Sequence, residues 1–153
     1  MEGVILITKS MLLIACSNSK KWDIEIPHPA FEVYDGVFYR VIKKAFSNRP
    51  EIQNRLIIYI LSAKFNVIPA NQRILPYDLK MLPSIAWEQR NTNTNLLKKY
   101  IAVEEPSELV VVMGKTYRDS VNWDSISIPV TFLTGSIGIM QSKLKKWLLS
   151  LSD

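Results

Sequence analysis

Residues 56–61 read LIIYIL, an uninterrupted apolar run that is rich in β-branched and aromatic side chains. Such a run is typical of a strand that is buried on both faces, as the strands of parallel sheets are. Residues 11–15 (MLLIA) and 109–113 (LVVVM) have the same character, and residues 128–133 form a fourth segment of this kind. The sequence therefore predicts four strands at the centre of the fold.

Amphipathic segments lie between and after these runs. Residues 37–46 and 137–149 carry apolar side chains at helical spacing, and residues 84–100 are expected to form one helix or two. Asparagines and threonines at positions 91–95 weaken the middle of that last segment. Strands that alternate with helices predict a three-layer α/β fold, in which helices cover both faces of a mainly parallel sheet.

The length and composition limit the possible classes of protein. A chain of 153 residues without a Pro-, Gly- or Ser-rich linker fits one domain, for which we expect residues 11–153, after a short N-terminal extension of residues 1–10. Hydrophobic residues make up 48% of the chain and charged residues 22%, which argues against disorder. The formal net charge of +5 favours anionic partners.

The single cysteine and single histidine exclude several kinds of site. Cys16 cannot form an internal disulfide, and Cys16 with His28 cannot supply a closed zinc site. No apolar run is long enough to cross a bilayer. We therefore expect a cytoplasmic protein that has no bound metal, no cofactor and no contact with a membrane.

Small, polar or cationic residues follow each of the four predicted strands. The carboxyl ends of parallel strands meet at one edge of a sheet, which is where α/β proteins bind their ligands. We therefore expect a single polar site at that edge. Its candidate residues at the strand ends are Cys16, Ser17, Lys20, Ser62, Lys64, Gly114, Tyr117, Gly135, Ser136 and Gly138.

The residue types of this set suggest roles. Lys20, Lys64 and Lys115 each follow a strand, and together they would hold a phosphate or a carboxylate, although each lysine alone is typical of an exposed loop. Cys16 is either a nucleophile or a small buried residue. Tyr77 and Asp78 place a phenol beside a carboxylate, which suits base recognition or proton transfer, or else a simple turn.

The turn at residues 134–138 (TGSIG) has two interpretations. Gly135 and Gly138 would let the backbone approach an anion at the start of the last helix, which predicts that sulfate or phosphate binds there. Alternatively, the segment is an ordinary turn in which Ser136 caps the helix. The sequence favours neither interpretation over the other.

Several short segments together resemble an uncharacterised family of microbial and phage proteins whose pattern runs CSxxK, YxG, LSAKxGL, PYD, GxxY and GxxIG. The matching segments are CSNSK (16–20), YDG (34–36), LSAKF (61–65), PYD (76–78), Gly114 with Tyr117, and GSIG (135–138). Asn66 stands where the family has a glycine. Asparagine is the next best residue for a left-handed conformation, so we expect the turn to be retained.

Two further resemblances concern function. Residues 61–81 resemble part of the YaaA peroxide-stress proteins, which are associated with DNA binding. The CSxxK element is similar to one in archaeosine synthase, which modifies a deazaguanine base in transfer RNA, although Lys21 and Trp22 depart from its longer motif. These resemblances imply a Rossmann-like or uracil-DNA-glycosylase-like fold and a link to nucleic acid or modified bases.

The leading functional hypothesis is a domain that handles a nucleobase or nucleotide, with the modification of bases in nucleic acid as its expected setting. Cys16, Lys20 and Asp78 are its candidate catalytic residues, and the rest of the set, with Tyr77, would bind the substrate. The rival hypothesis is a DNA-binding protein of the YaaA kind that performs no chemistry. A third is an accessory domain that works with a partner enzyme of a modification or defence system.

Overall fold

The computed structural model of this chain describes residues 8–18 and 20–152. Its strands are β1 (Ser10–Ala15), β2 (His28–Pro29), β3 (Leu56–Ser62), β4 (Asn66–Pro69), β5 (Arg73–Ile74), β6 (Glu108–Val112) and β7 (Val130–Phe132). Its helices are α1 (Ala30–Val33), α2 (Val37–Asn48), α3 (Pro83–Glu104), α4 (Lys115–Arg118) and α5 (Ile137–Ser150), with 3₁₀ turns at Pro50–Arg55 and Trp123–Ser125.

The main sheet has the strand order β4-β3-β1-β6-β7. Strands β3, β1, β6 and β7 run parallel, which confirms the predicted mainly parallel sheet, and β4 pairs with β3 in the antiparallel direction. Strands β2 and β5 form a separate two-stranded ribbon. The parallel strands end at one edge of the sheet, so the segments that follow them are brought to that edge.

Helices cover both faces of the sheet, as predicted. Leu12 and Ile14 of β1 belong to the core beneath α2 and α5, whereas Met11 and Leu13 belong to the core beneath α3. All four side chains are fully buried. The alternation of side chains along β1 therefore divides one strand between two cores, which is the defining feature of a three-layer fold.

Helix α3 is continuous, so the alternative of two helices is wrong. The polar residues in its middle have tertiary partners that compensate for their weak helix propensity. The amide of Asn93, which is fully buried, donates to the Ser120 carbonyl and to Gln89 Oε1, and its Oδ1 accepts from Asn66. The Thr94 hydroxyl donates to the Arg90 carbonyl and accepts from the Asn122 backbone N–H.

Two predicted segments differ in detail from the structure. Strand β7 is shorter than residues 128–133 and is half-buried to exposed, because it lies at the edge of the sheet. Strand β1 begins at Ser10, whose hydroxyl donates to Glu108 at 2.7 Å. Residues 1–7 of the expected N-terminal extension lie outside the described residues, and the domain boundary stays a prediction.

The turn between β3 and β4 has the geometry that the sequence predicts. Asn66 has a φ of 62°, in the left-handed region that favours glycine or asparagine. Its side chain also donates to Asn93 Oδ1 at 3.0 Å. Asn66 therefore keeps the left-handed turn and adds a contact with α3.

No helix among residues 8–18 and 20–152 is long and apolar enough to cross a membrane.

We predict that Asn66→Ala lowers the free energy of unfolding more than Asn66→Gly does. Both variants lose the hydrogen bond to Asn93, but only alanine must also adopt the left-handed backbone, which costs about 1 kcal/mol more. Urea denaturation of the two variants measures this difference. Equal losses of stability would show that the left-handed conformation is not maintained.

Candidate functional site

The site begins where β1 ends, at Cys16 and Ser17. The Cys16 backbone N–H donates to the Leu61 carbonyl at 2.9 Å, which ties the start of this segment to β3. Gly36 packs against it from the other side, since a Cβ at position 36 would lie 2.7 Å from the Ser17 Cβ. Only glycine allows the chain before α2 to approach this closely. Ser19 lies outside the described residues.

Lys20 is held inside the site although it carries a charge. Its backbone pairs with Tyr34 in an isolated antiparallel bridge, and the residue is only 9% exposed. The ammonium nitrogen lies 4.6 Å from the centre of the Tyr77 ring, with the rings of Trp22 and Tyr34 at 5.6 Å and 5.8 Å. Aromatic faces attract a cation through their quadrupole.

Aromatic rings, and no close carboxylate, surround the ammonium of Lys20 in the part of the chain that the structure describes. Among the described residues, no carboxylate oxygen lies within 4 Å of its ammonium nitrogen. Burial lowers the pKa of Lys20, and the charges of Cys16 and Asp78 raise it again in part. The site therefore contains a cation that would gain from an anionic ligand more than an exposed lysine does.

Three hydroxyl groups form a chain beside Lys20. The Tyr77 hydroxyl lies 2.7 Å from Ser62 Oγ and 2.5 Å from the Tyr34 hydroxyl. Ser62 Oγ also accepts from the backbone N–H groups of Lys64 and Phe65. Since these two donors occupy both lone pairs of Ser62 Oγ, its proton goes to Tyr77, whereas either phenol can be the donor in the Tyr34–Tyr77 contact.

A further contact at this site joins Cys16 to α4. The Cys16 sulfur lies 3.2 Å from the Tyr117 hydroxyl. Burial raises the pKa of Tyr34, Tyr77 and Tyr117 above that of an ordinary tyrosine, and the charge of Cys16 acts in the same direction. These phenols are therefore neutral at physiological pH, and the Tyr34–Tyr77 pair has one hydroxyl proton beyond the one in its own contact.

The structure brings several predicted residues to this cluster. Lys64 is exposed, with its ammonium 5.4 Å from the centre of the Tyr77 ring, and Asp78 is exposed and acts on Lys20 through its charge. Lys115 does not complete the expected trio of lysines, because it is exposed and pairs with Asp119 at 2.9 Å. His28 hydrogen-bonds the Ile26 carbonyl.

The predicted glycines lie farther along the same edge. Gly114 caps α4 and Gly135 precedes α5, after strands β6 and β7. Strand β7 is two places from β1 in the sheet, roughly 10 Å away at the usual strand spacing.

The turn before α5 has the geometry in which Ser136 caps the helix. Ser136 Oγ accepts from the Ile139 backbone N–H at 3.3 Å, and Gly135 has a φ of 127°, which glycine tolerates. Gly138 is exposed, with open space around the position of a Cβ. This confirms that Ser136 caps α5, and anion binding at the turn stays a prediction.

Two residues of the cluster were missing from the predicted set. Tyr34 lies in the YDG segment, so the resemblance contained a signal for it, but its contact with Tyr77 joins positions 43 residues apart. Trp22 follows Lys20 by two residues, and its ring centre lies 5.6 Å from the Lys20 ammonium nitrogen. No short-range pattern reveals either contact.

Metal ligands are sparse in the part of the chain that the structure describes. It contains no group of three or more His, Cys, Asp or Glu side chains that could hold a metal ion. The expectation that the protein acts without a metal or cofactor stays a prediction.

These features define the class of protein as an α/β domain with a cluster of aromatic, hydroxyl and amine groups at the carboxyl edge of its sheet. The chain belongs to the family described as "Family of unknown function (DUF6884)", whose model matches residues 11–149. This confirms the expected membership in an uncharacterised family. The individual motifs and the resemblances to YaaA and archaeosine synthase stay predictions.

A solved structure shares the fold. AF0587, a protein of unknown function, superposes with a TM-score of 0.54 at 13% sequence identity, over 92% of this chain and 44% of AF0587. The chain thus spans less than half the length of that relative. The comparison with curated proteins found no match.

We predict that Lys20 titrates below 10.5, the ordinary pKa of lysine, and that Asp78→Asn lowers its pKa further. The Asp78 carboxylate favours the charged ammonium, so removing that charge helps the neutral amine. NMR titration of the lysine ¹³Cε signals measures this, with Lys20→Met to assign the signal. Asp124→Asn, on the 3₁₀ turn Trp123–Ser125, is the control and should leave the Lys20 pKa unchanged. A Lys20 pKa at its ordinary value, or one that rises in Asp78→Asn, would contradict this electrostatic account.

Proposed function

We propose that this domain binds a nucleobase or nucleotide at the carboxyl edge of its sheet. The observation that carries the proposal is the largely buried ammonium of Lys20, which faces three aromatic rings and, among the described residues, has no carboxylate within 4 Å. A partly desolvated cation that lacks a close counter-ion favours an anionic ligand strongly.

The neighbouring groups suit a base better than a simple anion. The neutral phenols of Tyr77 and Tyr117 stand in fixed positions, which the edge of a base requires. The ring of Trp22, which is 57% exposed, offers a surface for stacking. Lys20 would hold the negative charge of the ligand, while Ser17, Tyr77 and Tyr117 would orient the base and Ser62 would fix the Tyr77 hydroxyl from behind.

The same cluster supports a chemical role in base modification. Burial lowers the pKa of Lys20, which increases the fraction of neutral amine that can accept a proton or act as a nucleophile. The Cys16 thiol, in contact with Tyr117, is the second candidate nucleophile, and Asp78 is the candidate base. The phosphate of a nucleotide would lie either against Lys64 or, farther along the edge, at the backbone of Gly114, Gly135 and Gly138.

We predict that Lys20→Met weakens the binding of nucleoside monophosphates at least about tenfold, because a hydrogen bond to a charged group is lost. Methionine keeps the apolar stem among the rings. Lys21→Met, at an exposed neighbouring position, should have little effect. Isothermal titration calorimetry of the unchanged protein and both variants, each with GMP and with UMP, measures this.

Asp78→Asn provides a second variant at an exposed position, which should fold normally and should also reduce binding or turnover. The rival function, DNA binding without chemistry, predicts the reverse pattern. In that case Lys145→Ala and Lys146→Ala, on the exposed side of α5, would weaken binding to DNA, while Lys20→Met and Asp78→Asn would matter no more than other charge changes. That result would overturn the proposal.

A further inference from the structure

A groove lies beside the candidate site, on the side of β6 and β7. It has a volume of about 380 Å³, and Arg90, Arg118, Trp123 and Phe132 are among the residues that line it. A second groove of about 370 Å³ shares Arg90 and continues along α3 past Trp87 and Lys98. We call the two together the arginine–aromatic groove, defined by Trp87, Arg90, Lys98, Arg118, Trp123 and Phe132.

The two arginines of this groove are fixed in position but keep free donors. Arg90 donates to the Asp119 carbonyl at 3.1 Å, and Arg118 donates to the Met113 carbonyl at 3.0 Å. Each guanidinium has five N–H donors, so a single bond to a carbonyl leaves most of them for a ligand.

The charge of the groove is positive. Asp119 also lines the groove, but its carboxylate pairs with Lys115, and among the described residues no carboxylate oxygen lies within 4 Å of either guanidinium. Lys98 adds a further positive charge. The groove therefore complements a ligand that carries several negative charges in a row.

Aromatic rings alternate with these cations. Trp87 is 74% exposed, with the Arg90 guanidinium 6.0 Å from its ring centre, and Phe132 is 37% exposed. The rings of Trp123 and Phe132 pack edge to face with their centres 5.0 Å apart. The Trp123 indole N–H donates to the Arg118 carbonyl, which fixes this pair beside Arg118. Exposed ring faces between cations are the arrangement that stacks bases while phosphates are neutralised.

The direction of the groove links it to the candidate site. Trp87, Arg90, Thr94 and Lys98 recur at helical spacing on α3 and span about 16 Å, enough for a few nucleotides. The other end reaches Arg118, next to Tyr117 in α4, and Tyr117 contacts Cys16. An extended ligand that leaves the groove at Arg118 would thus arrive at the cluster around Lys20.

From these observations we infer that the arginine–aromatic groove binds single-stranded nucleic acid and delivers one of its bases to the site of Lys20. The last step rests on the proposed function, whereas the binding in the groove does not. Arg90, Arg118 and Lys98 contact phosphates, and Trp87 and Phe132 stack on bases. A duplex would keep its bases stacked on each other, and an acidic peptide would leave the exposed rings without partners.

Fluorescence anisotropy with a labelled fifteen-nucleotide oligo-dT, and with oligo-U of the same length, tests the inference. Trp87→Ala should weaken binding at least about fivefold, since one stacking contact is lost. Arg90→Gln should also reduce the slope of log affinity against log salt by about 0.7, the value for one phosphate of a single strand. The matched controls are Ile26→Ala and Arg73→Gln, which replace exposed residues outside the groove and should change neither quantity.

The possible outcomes separate this inference from the proposed function. Oligonucleotide binding that depends on Trp87 and Arg90, together with GMP and UMP binding that ignores Lys20→Met, would support the groove and overturn the proposed site. Loss of GMP or UMP binding in Lys20→Met, with oligonucleotide binding that ignores Trp87→Ala and Arg90→Gln, would overturn the groove alone. Tighter binding to a duplex, preference for a poly-glutamate peptide, or no binding to either oligonucleotide at low salt would each overturn the inference.

Discussion

The central constraint on this structure is the burial of β1 on both of its faces and along both of its edges. Its side chains from Ser10 to Ile14 are buried, and its backbone pairs in parallel with β3 on one side and β6 on the other. Parallel pairing on both edges aligns the ends of three strands. The residues after β1, β3 and β6 must then converge, and Cys16, Ser62 and Tyr117 are among the residues that do.

This convergence also explains how a lysine can be tolerated in an apolar setting. The chain after β1 runs against Tyr34, whose ring and hydroxyl link it to Tyr77 and Ser62, so the surroundings of Lys20 come from three distant segments. Ring faces replace part of the water that the ammonium loses, and hydrogen bonds fix the members of the hydroxyl chain in place. The result is a preorganised polar cluster, which an enzyme or a specific binding protein requires.

The sequence was informative where local chemistry decides the structure. The apolar runs predict the four parallel strands, helical spacing predicts α2 and α5, and the tolerance of asparagine for positive φ predicts the turn at Asn66. It left a choice open where distant contacts decide, as in α3, which was expected as one helix or two and whose weak middle is stabilised by bonds from Asn93 and Thr94 to other segments. Strand β4 was missed because residues 66–69 form too short a run to distinguish from a loop.

The candidate site was predictable in its position but only partly in its members. The rule that ligands bind at the carboxyl ends of parallel strands requires only the order of strands and helices. Whether a strand-end lysine turns inward, as Lys20 does, or outward to pair with a neighbour, as Lys115 does, depends on which rings and carboxylates the fold places around it. The arginine–aromatic groove combines segments around positions 90, 118 and 132, and the sequence alone does not show that these three segments meet.

The most direct test of the central claim is a crystal structure of the protein soaked with GMP or UMP. The account predicts ligand density in which an anionic oxygen lies within about 3.2 Å of Lys20 Nζ and the base contacts the ring or hydroxyl of Tyr77. Well-defined ligand density that lies only along the exposed lysines of α5, with the Lys20 cluster unchanged and empty, would contradict it.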